Sequence, residues 1–500
     1  MRRLLAAVCT LAIALAAAGC GGGSSDSGKS PLDNALGYLP KSAPVVAAID
    51  TNLNDDQWKS LGANVKKFPF AGQVESSLKT SISQSGLDFD KDIKPLLGND
   101  FVVGFPTVQS VSGSNDQAVA ALEVKDKGKL SKVLSNDNHL TKDGSSNGAT
   151  LYRADSGGTE VAQDGSVLVV GNSKQQTVAA LEQRGRDDRL TQDTFNNGLS
   201  GLPSDALARV YVNAQQLIAG SPGTQTAQKV KWVAALRTVG VTVSSESSAL
   251  AIDFNAKTDS SQLSDADLPF ASGDASPPVS IKPGEIGVGI RGVNQTEHFI
   301  ENVAKVVSPA SYANFLKAKQ TIANRLGLNI DKDLIDQLSG NTAIAYDING
   351  KFAMRADPKD PAAFRKTLAR AARVAPQFAR GAGLPGAKLT RAGGLYKLTG
   401  TNGKTLYYGM VGSVFAASND PVRLTQIASA TPQQVTGAKG AVSINADVAK
   451  IVAGIISQAA GGGLGGAFGG SLATAPLGNL TGSITSGTSG LTGHLQLAIR

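Results

Sequence analysis

Cysteine is nearly missing from this chain. Cys9 and Cys20 are the only two in 500 residues, so everything after residue 20 lacks a thiol. A disulfide framework, a cysteine-ligated metal and a cysteine nucleophile are therefore excluded from the body of the protein. Histidine is almost as scarce. His139, His298 and His494 sit in unrelated contexts, and none reads as part of a zinc pattern with a second ligand at i+3 or i+4. No metal, no cofactor and no catalytic residue is expected, and the chain does not read as an enzyme. Aromatic residues make up only 5% and charged ones 18%, with a net charge of +8.

The first residues read as an export signal spanning residues 1–19. Arg2 and Arg3 form a positive start, and Leu4–Ala18 an apolar core too short for a comfortable membrane span. Ala17-Ala18-Gly19-Cys20 resembles a bacterial lipobox, with Ala17 where leucine is commoner. That resemblance implies lipidation of Cys20 and cleavage before it; the plainer alternative is ordinary signal-peptidase cleavage. Acyl chains at about 0.8 kcal/mol per buried CH₂ would hold the protein on a membrane. Residues 20–35, with their GGGSSDSGKS run, read as a flexible tether.

One stretch is written twice. Gly86-Leu87-Asp88-Phe89-Asp90-Lys91-Asp92-Ile93 returns 241 positions later as Gly327-Leu328-Asn329-Ile330-Asp331-Lys332-Asp333-Leu334. Around it, Val45–Asp50 matches Ile286–Arg291, Gly98-Asn99 matches Gly340-Asn341, and Leu151-Tyr152-Arg153 matches Leu395-Tyr396-Lys397. Gly165-Ser166-Val167 pairs with Gly412-Ser413-Val414, and Val212-Asn213-Ala214 with Ile444-Asn445-Ala446. The spacing drifts between 232 and 247 residues, as loops of differing length would cause. The pattern implies duplication of a domain of about 210 residues.

Asp88, Asp90 and Asp92 imitate the opening of a calcium loop, but the glycine and glutamate such a loop needs are replaced by Ile93 and Asn99. Helix capping explains the repeat better. Gly86 and Gly327 end one helix, and Asp90 or Asp331 is expected to cap the next. Two other motifs fail on context. Gly144-Ser145-Ser146-Asn147-Gly148 matches G-x-S-x-G but reads as a polar loop rather than a strand-to-helix elbow. Gly400–Thr405 ends like a phosphate loop, yet Asn402-Gly403 between apolar runs is a hairpin signal.

Strands are expected at Phe101–Phe105, Ala118–Val124 and Glu285–Arg291, among others, and a helix pair broken at Phe68-Pro69-Phe70. Short turns between successive strands demand antiparallel pairing. The expected fold is α+β: two tandem homologous repeats, each a mostly antiparallel sheet with helices packed on one face. The boundaries are residues 36–257 for repeat one, 258–283 for a linker rich in Ser, Asp and Pro, and 284–500 for repeat two.

Leu39-Pro40 with the strand after it, Gln57 to Phe68-Pro69, and the cap followed by Pro95-Leu96-Leu97-Gly98 resemble the DUF3352 family. Its members are exported bacterial proteins without an assigned function. The resemblance covers Leu36–Arg500 and implies a fold and a location, with no catalytic residues to carry over.

Two stretches carry unusual charge. Lys351–Lys404 holds twelve Lys or Arg against Asp357 and Asp360, a net +10. After Pro361, Phe364, Leu368 and Ala372 make an apolar stripe, while Arg365, Lys366, Arg370 and Arg373 are candidates for binding anionic lipid or a cell-wall polymer. Nucleic acid is disfavoured, since the segment shows no interleaved aromatics and the protein is read as exported. Ile451–Ile499 has no charged residue; its glycines predict chiefly a flexible loop. The function expected is a non-enzymatic binding or scaffold module, lipid-anchored on the outer face of the cell membrane. The alternative is a carrier of a lipid-like ligand in an apolar cavity.

Overall fold

The computed structural model describes residues 29–500 except 84–85, 113–116, 138, 156–157, 222, 381–382, 393 and 460–473. The signal, Cys20, most of the tether and the glycine-rich centre of the uncharged stretch lie outside the described residues. The chain forms two compact units. Unit one holds the residues up to Thr224 with Leu236–Lys257 and Ile499–Arg500, and unit two holds Gln225–Ala235 with Thr258–Ala498.

The ordered chain of unit one begins earlier than residue 36. Helix α1 (Pro31–Leu36) starts where the Ser30 hydroxyl accepts the Asp33 N–H at 3.1 Å, with Pro31 in the first turn. The Asp33 carboxylate takes Arg189 Nη2 at 3.0 Å and the Gln192 N–H at 2.9 Å. Leu36, Tyr38 and Leu39 are then buried.

Among the described residues, unit one has ten strands: β1 (Val45–Ile49), β2 (Phe101–Phe105), β3 (Val119–Glu123), β4 (Leu140–Ser146), β5 (Ala149–Ala154), β6 (Glu160–Asp164), β7 (Val167–Gly171), β8 (Ala208–Val212), β9 (Leu236–Glu246) and β10 (Ala249–Thr258). Their pairings give the order β4-β5-β6-β7-β3-β2-β1-β8-β9-β10. In β1, Val45 stands opposite Phe105 on one side and Val212 on the other. The stretch expected to be a polar loop is a hairpin instead. Strand β4 runs through Gly144 to Ser146, and Asn147 and Gly148, both at positive φ, turn the chain into β5.

Helices cover both faces of this sheet, which corrects the expectation of one. The cause is visible in β7. Val167 and Val169 join a cluster with Leu36, Leu39, Leu181 and Phe195, while Leu168 and Val170 pack into another with Trp58, Phe89, Leu130 and Leu134. A strand apolar on both sides needs cover on both. The first face is covered by α1 with α5 (Lys174–Arg184) and α6 (Gln192–Gly198). The second is covered by α2 (Asp56–Lys66), which is followed by α3 (Ala71–Ser83), and by α4 (Lys127–Asn136).

The twice-written octapeptide makes the same turn both times. Gly86 and Gly327 have φ of 77° and 62°, the left-handed conformation that glycine adopts without strain. The cap falls two residues before the one expected. Asp88 Oδ1 accepts the Lys91 N–H at 2.9 Å, and Asp92 Oδ2 reaches back to the Asp88 N–H at 2.9 Å. Asn329 accepts the Lys332 N–H at 3.0 Å, and Asp333 takes the Asn329 N–H at 2.8 Å. Such reciprocal bonding satisfies two N–H groups at once, whereas Asp90 is exposed.

The described residues of unit two also form ten strands: β11 (Glu285–Arg291), β12 (Asn341–Asp347), β13 (Phe352–Ala356), β14 (Lys388–Ala392), β15 (Leu395–Thr399), β16 (Thr405–Val411), β17 (Val414–Ser418), β18 (Val442–Asp447), β19 (Leu477–Gly487) and β20 (Gly490–Ile499). Their order is β14-β15-β16-β17-β13-β12-β11-β18-β19-β20. Its longer helices are α7 (Val293–Val307), α8 (Pro309–Leu326), α9 (Pro361–Ala371), α10 (Pro421–Ser429) and α11 (Val448–Ala459). Again both faces are covered: Ala417 packs with Leu368, Tyr396 and Tyr408, and its neighbour Ala416 with Leu424 and Ala428.

The glycine-rich part of the uncharged stretch expected to be a loop falls mostly on 460–473, outside the described residues, but its two ends are regular structure. Residues 451–459 continue α11, and 477–499 are the paired strands β19 and β20. Residues 258–283 lie along unit two. There Leu268 and Val279 are buried, and Val279 exchanges backbone hydrogen bonds with Gln433 at 2.9 and 2.7 Å.

Candidate functional site in unit two

Helix α9 is set by Asp360, whose Oδ1 accepts the N–H groups of Ala362 and Ala363 at 3.0 and 2.9 Å, with Pro361 in the first turn. Phe364, Leu368 and Ala372 are buried, and the Phe364 ring meets Phe415 edge-on at 5.5 Å. The opposite face puts Arg365, Lys366, Arg370 and Arg373 in solvent. Arg365 donates to the Gly412 carbonyl. Among the described residues, the charged ends of Lys366, Arg370 and Arg373 make no hydrogen bond or ion pair, leaving three unneutralised cations along one face.

Aromatic rings do interleave with the cations of this segment, contrary to the sequence expectation. Arg391 lies 5.1 Å from the Tyr396 ring centre and Lys397 5.4 Å from that of Tyr407. Tyr396 also stacks on Tyr408 at 5.3 Å. Strand pairing between β14, β15 and β16 creates these contacts. The Gly400–Thr405 stretch closes the β15–β16 hairpin, where the Gly400 N–H donates to the Lys404 carbonyl at 2.9 Å.

A second constellation, absent from the sequence-based candidates, lies between α7 and α8. Glu301 stands three residues after His298 on α7. With Glu297, these side chains bring ligand-type atoms within 4.8 Å of one another. Lys319 from α8 reaches into the same group: its Nζ is 3.7 Å from Glu297 and pairs with Glu301 and Asp331. His298 Nε2 is 3.3 Å from Asp336. The lysine ammonium supplies the positive charge these carboxylates need, so the arrangement suits an internal charge balance better than a metal. Burial, and then the neighbouring Glu301 carboxylate, push Glu297 up to about 7.

The model of the DUF3352 family, described as proteins of unknown function, matches residues 4–375. The chain belongs to this family. The DUF3352 match includes α9 and the α7–α8 pair and stops before β14, short of the Arg500 limit read from the sequence. A comparison with curated proteins finds no match. Solved structures of TP0453 in crystal forms III, IV and I align with 45% of this chain and 78–80% of theirs. Their identity is 8–12% and their TM-score 0.25–0.26.

No helix among the described residues is long and apolar enough to cross a membrane. The carrier alternative leaned on the uncharged stretch, of which 477–499 is paired β-sheet and 460–473 lies outside the described residues. Cys20 lies outside them as well.

Proposed function

We propose that this DUF3352 protein is exported, lipid-anchored through Cys20, and acts on the outer face of the cell membrane as a non-enzymatic binding or scaffold module. Its partner would be an anionic lipid or cell-wall polymer, not nucleic acid. The observation that carries the reading is α9: a helix fixed by a buried apolar stripe, with Lys366 and Arg370 projecting unpaired from its other face and Arg373 unpaired in the turn just past its end. Three such cations attract a polyanion by Coulomb attraction and counterion release, and salt should weaken the attraction.

The architecture supports a scaffold built by duplication, one copy in each unit. Adding ten to every strand number of unit one reproduces the strand order of unit two. The glycine, the cap and the returning carboxylate of the octapeptide also recur atom for atom.

The test is binding of the chain from Gly21 to vesicles containing phosphatidylglycerol and to a soluble polyanion, compared with K366Q/R370Q/R373Q. Binding that the triple variant loses, and that salt weakens, supports the proposal. Equal binding by both proteins, or none by either, rejects α9 as the surface. Labelled palmitate incorporation that disappears in Cys20→Ser tests the anchor separately.

A further inference from the structure

The α7–α8 helix pair of unit two is unusual in what it leaves uncovered. Neither helix fully buries a side chain. Around the bend at Ser308 it exposes Ile300 (59%), Val307 (51%), Phe315 (43%) and Leu316 (43%). Tyr312 leans against Phe315, their ring centres 6.5 Å apart. Val307 stands at the bend, with Ile300, Phe315 and Leu316 about two turns from it along the two helices, and four large apolar side chains exposed on one helix pair are more than the scattered exposure normal on a protein surface.

The acids of this helix pair, Glu297 and Glu301, pair with Lys319 together with Asp331, and the chain between them carries positive charge alone. From Asn302 to Ile330 there is no Asp or Glu, but there are Lys305, Lys317, Lys319 and Arg325. Lys305 and Lys317 are exposed. An apolar partner protein would need only the hydrophobic groups. Exposed Val307, Phe315 and Leu316 beside the exposed lysines Lys305 and Lys317 match the interface of an anionic bilayer, where rings enter the headgroup layer and lysines meet phosphate.

Unit one repeats the combination independently. Its bend between α2 and α3 reads Lys66-Lys67-Phe68-Pro69-Phe70 and exposes Phe70 (42%). The Phe68 and Phe70 rings lie 5.4 Å apart. No acidic residue occurs from Gln57 to Val74.

We propose that the α7–α8 bend is a docking surface for an anionic lipid bilayer, inserting Phe315 and Leu316 into the headgroup region while Lys305 and Lys317 contact lipid phosphates. This rests on the proposed membrane location but not on α9. If Cys20 carries lipid, the ten residues from there to Ser30 span at most about 35 Å when fully extended, which keeps the start of unit one close to the bilayer.

The absence of cysteine beyond residue 20 makes the test direct. The chain from Gly21 contains every described residue and accepts a single environment-sensitive dye at Leu316→Cys or, separately, at Lys366→Cys on α9. Each is mixed with vesicles of phosphatidylcholine alone or with about one third phosphatidylglycerol. Insertion predicts a blue shift and protection from aqueous quencher at residue 316 on the anionic vesicles. Lys305→Gln and Lys317→Gln should each weaken binding about fivefold, and Phe315→Ser should remove the shift. A response at 366 with none at 316 overturns this proposal and leaves α9 standing; a response at 316 alone upholds it and counts against α9. Absence of binding to either vesicle overturns it as well.

Discussion

Arg423 holds Glu285 by two parallel hydrogen bonds, Nε–H to Oε1 at 2.8 Å and Nη2–H to Oε2 at 2.7 Å, with both side chains buried. The pair fastens α10 to the first residue of β11, and Arg423 also reaches the Ser280 carbonyl at 3.3 Å. Replacing only one partner leaves a buried charge. Arg423→Met should therefore cost about 3–5 kcal/mol, whereas Glu285→Leu combined with Arg423→Met should recover most of that loss. Urea unfolding of the three proteins checks this; a single variant as stable as the parent would show that the pair does not matter.

The repeated turn makes a prediction about which aspartate counts. Asp88→Ala and Asn329→Ala should each lose about 1 kcal/mol. Asp90→Ala, at the position the sequence first suggests, should stay within about 0.5 kcal/mol of the parent. Thermal unfolding of the three single variants distinguishes the capping residue from its neighbour.

Two carboxyl groups should make the fold less stable as pH rises. Burial raises Asp50 from 3.8 to about 6, helped by nearby Asp100 and Asp55 and opposed by the Asn52 N–H. Glu297 goes from 4.5 to about 7, facing Glu301, Lys319 and His298, with Asp331 and Asp336 close by. A group raised in the folded state stabilises fully below its unfolded value, and that contribution is lost as pH climbs through the folded one. Melting temperature should therefore fall between about pH 4 and pH 7. Asp50→Asn should flatten the lower part of that fall and Glu297→Gln the upper part. An unchanged profile in both variants would remove these groups as its cause.

The α9 cations should matter to binding and not to folding. K366Q/R370Q/R373Q changes three exposed side chains without partners, so its stability should match the parent within about 0.5 kcal/mol per site. Phe364→Ala on the other face of the helix should cost about 3–5 kcal/mol. If the triple variant instead unfolded early, its loss of binding would say nothing about a surface.

Much of the fold was legible where strands are apolar. Phe101–Phe105 and Glu285–Arg291 were located residue for residue, and the break between α2 and α3 fell where Phe68-Pro69-Phe70 placed it. The strands that escaped notice are polar or glycine-rich for physical reasons. Strands β4 (LTKDGSS) and β14 (KLTRA) end their ladders, where polar side chains discourage further pairing. Strand β19 (LGNLTGSITSG) spaces its few apolar residues with glycine and so imitates a loop. Within the candidate site, the apolar stripe of α9 announced an exposed basic face. That Arg365 would be occupied by Gly412, 47 residues away, was not local information. Nor was the meeting of Lys319 with Glu297, Glu301 and Asp331, which only the folding of α7 against α8 brings about.

The Ile499 N–H bonds to the Ser248 carbonyl at 2.7 Å, and Lys67 donates to the Ile499 carbonyl at 3.2 Å. Residue 499, the last of β20, is thus a buried part of unit one, although all of unit two precedes it in the chain. A chain that emerges from the ribosome with its N-terminus leading cannot complete its first unit first. Unit one must wait, missing that contact, until residue 499 arrives. The unit synthesised earliest is therefore finished last, and its exposed seam during that interval is where a folding helper or a protease would gain hold.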